Sequence, residues 1–206
     1  MFNFDLTTIL ILIVVILVSL TIHEMVHAWV GFKLGDDTAA QEGRITLNPL
    51  AHIDPIMTVA LPIITTIIFQ APILAAKPVP FNPDRVKWDE YGAALIAAAG
   101  PFSNLLLAVF AAFVLLPFIG TTGLAGDFLI SFIFINVSLF VFNMIPIPPL
   151  DGSRVLYAFA PDGLRGIMEQ MEQYGFFIVF GLVILLSQMG INPLRNLTTP
   201  ILQFLL

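Results

Sequence analysis

Apolar runs long enough to cross a membrane recur along this chain and leave few folds open to it. The first extends from about Leu6 to Phe32, and others run from Tyr91 to Leu116, Phe128 to Phe142 and Tyr174 to Met189. A backbone inside lipid must satisfy its own polar groups, so runs of this kind are read as helices. Composition agrees, with 58% hydrophobic residues, 11% charged residues and a mean hydropathy of +0.97, far from the balance of a soluble domain. The expectation is an all-α polytopic membrane protein of about four transmembrane helices, forming one domain over residues 1–206. The opening MFNFD lacks the positive region of a signal peptide, so the first run is read as a retained span. There is no cysteine, which excludes disulfides, thiolate ligands and a cysteine nucleophile. The net charge of −6 comes without any basic run, so the bilayer is the expected partner and nucleic acid is not.

One apolar segment, Ile56 to Ala75, fits less simply. It is nearly long enough to cross, yet it holds Pro62 and Pro72 and lies between two polar pieces, EGRITLNP and AKPVPFNP, that read as short strands. These pieces are expected to form a small β-hairpin-like element near the candidate functional site. The stretch Leu164 to Tyr174 reads as a short amphipathic piece at the interface.

The first apolar run contains SLTIHEMVHAWV, residues 19–30. His23 and His27 are four residues apart, so on a helix both imidazoles can reach one cation. Glu24 sits where it can reach a water held by that cation. This is HExxH, a pattern in which zinc lowers the pKa of water and the glutamate takes its proton. The alternative is a helix with incidental histidines. It fits poorly, because a charged residue deep in a span costs about 2.5 to 3.5 kcal/mol on insertion scales and usually marks a functional cavity.

A catalytic zinc takes three protein ligands and leaves a position for water. The best third candidate lies in FNMIPIPPLDGSRVL, residues 142–156, where Pro146, Pro148 and Pro149 break an apolar helix just before Asp151. A helix-capping carboxylate is the other reading of Asp151.

HExxH in a first apolar helix, followed by Asn143, Pro146, Pro148, Leu150, Asp151 and Gly152, resembles the site-2 protease family of intramembrane zinc metalloproteases. Gly100 and Asn104 in AAAGPFSNLLLA, with GRITLNPLAHIDP and AKPVPFNP, are similar to its short prokaryotic branch, which lacks PDZ or CBS modules. The resemblance implies that His23, His27 and Asp151 hold Zn2+. It implies that Glu24 activates the hydrolytic water and that Asn143 binds or orients the substrate backbone. The implied substrates are transmembrane segments of single-span proteins or remnant signal peptides. Two other classes stand beside this reading: a membrane metal-binding or transport protein, and a non-catalytic homologue that only binds helices.

Geometry adds a constraint of its own. His23 lies roughly 25 Å along a helix begun near Leu6, toward the C-terminal end, and Asp151 follows the C-terminal end of its own helix. An even number of crossings must separate them, so residues 56–75 are expected to be re-entrant. Lys33, Arg44, Lys77, Arg85, Lys87, Arg154 and Arg165 then face one compartment and Arg195 the other. By the positive-inside rule the first is the cytoplasm, which puts the site toward the cytoplasmic side of a prokaryotic cell membrane. Gly100 and Asn104 most simply allow close helix packing with a hydrogen bond between helices. His52 and Asp54 read either as a pair orienting a ligand or as a polar turn.

Overall fold

A computed structural model describes residues 5–54, 77, 79–189 and 193–206. The first helix, α1 (Leu6–Lys33), starts at Asp5, whose carboxylate accepts the Thr8 N–H at 2.7 Å, a cap that satisfies one of the free amides of the first turn. Val15, Ser19, His23, His27 and Gly31 are all buried. Their four-residue spacing makes one inward stripe along an otherwise apolar cylinder. A short helix α2 (Thr38–Gln41) follows.

The helix α3 (Asp89–Ile119) carries Pro101 and Pro117 and widens into a π-helical turn at Ala111–Leu115. That turn lies just ahead of Pro117, whose ring lacks an N–H and crowds the carbonyl four residues back. Next come α4 (Gly123–Asn143), α5 (Asp151–Phe159), α6 (Asp162–Gln188) and α7 (Pro193–Leu205). Helices α1, α3 and α4 pack on one another, α5 packs on α3, and α7 packs on α4.

Lipid is as apolar as leucine, so tight packing rather than water exclusion must hold such helices together. The buried face of α3 accordingly presents Gly92, Ala94, Ala97, Gly100 and Ala108, small residues that let neighbouring backbones approach. A core cluster joins Ala108, Ala111 and Ala112 of α3 to Leu129, Ile133, Val137 and Val141 of α4 and Leu205 of α7. Outward faces carry large apolar side chains such as Leu10, Ile13, Phe102 and Leu106.

Three described helices are long and apolar enough to cross a membrane: Leu6–Lys33, Asp89–Ile119 and Gly123–Asn143. The fourth expected span, 174–189, differs in form. It is the C-terminal part of α6, one helix of 27 residues that also absorbs the stretch 164–174. No break separates the two parts, because nothing between Asp162 and Gln188 removes a backbone N–H. The segment expected to be re-entrant, 56–75, lies outside the described residues.

The expected hairpin is not seen, and the described residues contain no strand. Each strand-like piece instead ends in an Asn-Pro turn. Asn48 accepts the Leu50 N–H at 3.1 Å and Asn82 accepts the Asp84 N–H at 3.0 Å, each opening a 3-10 turn, Pro49–Ala51 and Pro83–Arg85. Asparagine offers the backbone this local alternative to a ladder, and Pro78 and Pro80 remove two donors a ladder would need.

The cationic residues expected on one side gather at one end of the bundle. Lys87 N–H donates to Leu34 O at 2.9 Å, just past the end of α1. Arg85 pairs with Asp37 at 2.6 Å, and Arg165 with Glu90 at 3.5 Å near the start of α3. Arg44 is fully buried and donates to the carbonyls of Ala51 and Lys77, tying the loop after α2 to the chain that leads into α3.

Candidate metal centre

The inward stripe of α1 brings His23 and His27 against α3 at Gly100. An ideal Cβ at Gly100 would lie 2.2 Å from His27 Nε2 and 2.8 Å from His23 Nε2, so only glycine leaves the rings room. Each ring is then held by its far nitrogen. His27 Nδ1 donates to Ile96 O at 2.7 Å, and His23 Nδ1 donates to Asn104 Oδ1 at 2.6 Å. The Ile96 carbonyl can only accept, which places the proton of neutral His27 on Nδ1. The Asn104 amide is fixed in the same sense, because its Nδ2 donates to Ser19 O at 3.3 Å and Asn136 Oδ1 at 2.8 Å. Both Nε2 atoms are therefore left as lone pairs pointing into the same space.

Asp151 arrives from the other side. The chain leaves α4 at Asn143, turns through 144–150 with Ile147 N–H on Ile145 O and Leu150 N–H on Ile147 O, and enters α5 at Asp151. Gly152 permits the tight entry, since a Cβ there would meet Met144 O at 2.4 Å. From behind, Gly175 of α6 lets that helix close on the turn, where a Cβ would meet Pro148 O at 2.5 Å. Leu150 holds the cap position without a side-chain bond, so Asp151 does not serve as the cap.

Asp151 Oδ2 lies 3.2 Å from His23 Nε2 and 3.4 Å from His27 Nε2, and the two nitrogens are 3.0 Å apart. Three acceptors with no proton between them would repel one another, so the triangle calls for a cation. Ligand atoms about 2.0 to 2.1 Å from a tetrahedral zinc lie about 3.3 Å apart, which is the spacing found. The residues present fit zinc in atom type, number and separation.

The same cavity, about 470 Å³, is lined by Glu24 and Asn143 as well as the three candidate ligands. Asn143 uses one amide hydrogen on Leu139 O at 3.0 Å. A second cavity of about 690 Å³ adjoins it across Phe81, Arg154 and Glu172, which line both. Arg154 pairs with Glu172 at 2.7 Å and lies 5.0 Å from the Phe81 ring centroid.

Asp36 also lines the metal cavity and is almost fully buried. Burial pushes its carboxyl up, but bonds from Thr38 Oγ1, the Asn82 N–H and the Thr38 N–H, with the charge of Arg85, outweigh that and hold it below the ordinary 3.8.

Of the two readings of His52, the polar turn is where its hydrogen bond lies. Its Nε2 donates to Thr46 O at 3.0 Å and its buried Nδ1 has no hydrogen-bond partner, so neither ring nitrogen bonds Asp54. Sequence reasoning missed Asn136, Ser19 and Asp36. For Asn136 the available signal was an amide in the middle of the apolar stretch FIFINVSLF.

Comparisons with known proteins bear on the family of the chain. The profile described as "Peptidase family M50" matches residues 119–187. The chain is 41% identical over 187 residues to "Putative zinc metalloprotease YwhC" of Bacillus subtilis (strain 168), covering 87% of this chain and 81% of that protein. It is 29% identical to "Putative zinc metalloprotease Rip2" of Mycolicibacterium smegmatis over 82% of this chain, spanning 64% of that longer protein. It is 32% identical to "Putative zinc metalloprotease MJ0611" of Methanocaldococcus jannaschii over 75% of this chain and 73% of that protein. No solved structure matches. The chain belongs to peptidase family M50, the zinc-dependent site-2 protease family.

Proposed function

We propose that this chain is an intramembrane zinc endopeptidase that cleaves transmembrane segments of single-span proteins or remnant signal peptides. His23, His27 and Asp151 hold the zinc in this reading, and the observation that carries it is their triangle of unprotonated atoms at 3.0 to 3.4 Å. When bound there, zinc supplies Lewis acidity that brings the pKa of water toward neutrality and polarises a carbonyl. Glu24, in the same cavity, takes the proton of the attacking water on a carboxylate oxygen and returns it to the leaving amide nitrogen. Asn143 presents its remaining amide hydrogen to the substrate backbone, orienting the scissile carbonyl.

A transmembrane substrate hides its carbonyls in its own helical bonds, so it must unwind before attack. The stretch 79–81 lines the cavity and gives an unwound segment an irregular wall to lie against. The site lies about one-fifth to two-fifths of the way along α1 from its C-terminal end, at the end of the bundle where the cationic residues gather. That placement supports an active site facing the cytoplasmic half of a prokaryotic membrane.

The test is Glu24→Gln, assayed against a panel of single-span proteins and signal-peptide remnants in detergent and in liposomes. Zinc is retained near one per chain, and cutting is lost. Retained cutting would refute the role of Glu24. Zinc without cutting in the wild type across the panel would favour the transport or helix-binding reading. Transport would need a path of further ligands, and no second cluster of metal-capable residues lies among those described.

A further inference from the structure

The two ligand histidines are not held alike. His27 is fixed directly by a backbone carbonyl, which cannot change its sense. His23 depends on a side-chain amide, Asn104, and an amide can rotate by half a turn and present its NH2 instead. With the NH2 facing it, His23 Nδ1 would have to be the acceptor. Its proton would then sit on Nε2, where the zinc should be.

Asn136 is what opposes that rotation. It lies on α4, one helix beyond Asn104, and both amides have no solvent exposure. Its Oδ1 accepts Asn104 Nδ2 at 2.8 Å, and its own Nδ2 donates to Phe132 O at 2.8 Å and Ser19 Oγ at 2.8 Å. The Phe132 carbonyl is acceptor-only, so it sets the orientation of Asn136, which sets that of Asn104, which sets the tautomer of His23. The direction passes from a fixed backbone group on α4, through two amides, to the ring. Ser19 closes the circuit on α1 one turn before His23, its carbonyl and hydroxyl accepting one hydrogen from each amide. A rotated Asn104 would place NH2 against His23 and its oxygen against both the Ser19 carbonyl and Asn136 Oδ1, an arrangement a buried site does not tolerate.

We infer that Asn136 is a positioning residue for the zinc centre: it holds Asn104 in the one orientation that leaves His23 Nε2 free to bind metal. The inference rests on His23, His27 and Asp151 being the zinc ligands. Outer partners of metal-bound histidines typically change metal affinity by 10- to 100-fold when lost. Asn136 acts one residue further out, so a loss of about 10-fold is expected for its removal.

The experiment is a zinc dissociation constant, measured on full-length chain in detergent by competition with a chromophoric chelator. The variants are Asn136→Leu, Asn136→Met, Asn136→Asp, Asn104→Leu and the Asn104→Leu/Asn136→Leu double. Both apolar Asn136 variants should weaken zinc about 10-fold, and Co2+ loaded in its place should show an altered visible spectrum. Asn136→Asp should stay within about threefold of wild type, because a buried neutral carboxyl keeps an acceptor for Asn104 and one donor. In the Asn104→Leu background, Asn136→Leu should add nothing further.

Wild-type affinity in whichever apolar variant folds would overturn the inference. So would a loss that adds in full to that of Asn104→Leu, since Asn136 would then be acting through general packing. Wild type that binds no zinc would overturn the zinc reading itself, a result distinct from wild type that binds and variants that match it.

Discussion

Gly100→Ala tests the close approach of α3 to the candidate metal site. The new Cβ would stand 2.2 Å from His27 Nε2, 2.6 Å from His27 Cε1 and 2.8 Å from His23 Nε2. To reach ordinary contact at 3.4 Å, the His27 nitrogen must retreat by roughly 1.2 Å and the His23 nitrogen by roughly 0.6 Å. Metal–ligand distances tolerate only about 0.2 Å. Both rings are also tethered at Nδ1, so they cannot retreat without breaking the bonds to Ile96 O and Asn104. Zinc affinity should therefore fall by at least about 100-fold, the upper range for losing a partner that merely orients a ligand. The helix itself should not suffer, because alanine is favoured over glycine by about 1 kcal/mol in a helix interior. The assay pairs zinc competition with thermal unfolding of the zinc-free protein. The expected result is lost zinc and lost cleavage with a zinc-free midpoint that is lowered but still cooperative, because the displaced rings give up buried bonds worth about 1 to 3 kcal/mol while the helix gains about 1. Gly100→Ala that binds zinc as wild type does would show that the rings are not confined as described.

Further predictions follow from single side chains. Asn143→Ala should keep zinc while lowering kcat by about 10²- to 10³-fold, checked by zinc content and steady-state cleavage; equal loss of zinc would make Asn143 structural instead. Asp36→Asn should destabilise the neutral-pH protein by about 1 to 3 kcal/mol, since it weakens bonds from Thr38 and Asn82 at a buried carboxylate. Because the folded carboxyl sits below 3.8, its stabilisation is present above the ordinary value and fades as the pH falls through the folded value. Unfolding midpoints from about pH 6 to about pH 3 should therefore converge between wild type and Asp36→Asn. A gap that stays constant with pH would refute the carboxylate's role.

The three residues that the structure brings together as candidate metal ligands were legible in the sequence because their signals are local. His23 and His27 share a helical face by spacing alone, and Asp151 stands immediately after a proline-broken turn. Asn136 stood out as an amide in an apolar stretch, but its role and that of Ser19 were not legible, because they depend on which face of α4 meets which face of α1. The apolar helices were found, with ends short by a few residues where polar first turns such as Asp89 and Glu90 continue the helix. The strand reading failed at Asn48 and Asn82, where β-like composition was overruled by asparagine bonding its own backbone before a proline. The fourth apolar run was found but split from its amphipathic beginning, since a change from polar to apolar surface is not by itself a helix boundary.

The proposed ligands come from distant parts of the chain, with His23 and His27 near its start and Asp151 about 130 residues later. At common synthesis rates of about 5 to 20 residues per second, many seconds separate the emergence of the histidine pair from that of the aspartate. Throughout that interval the nascent protein holds two nitrogens, Glu24 and no third ligand. A growing chain among other newly inserted helices is thus without a finished hydrolytic centre until α5 docks on α3. If the proposed site is the catalytic one, the order of its ligands along the polypeptide places completion of the centre among the last events of assembly.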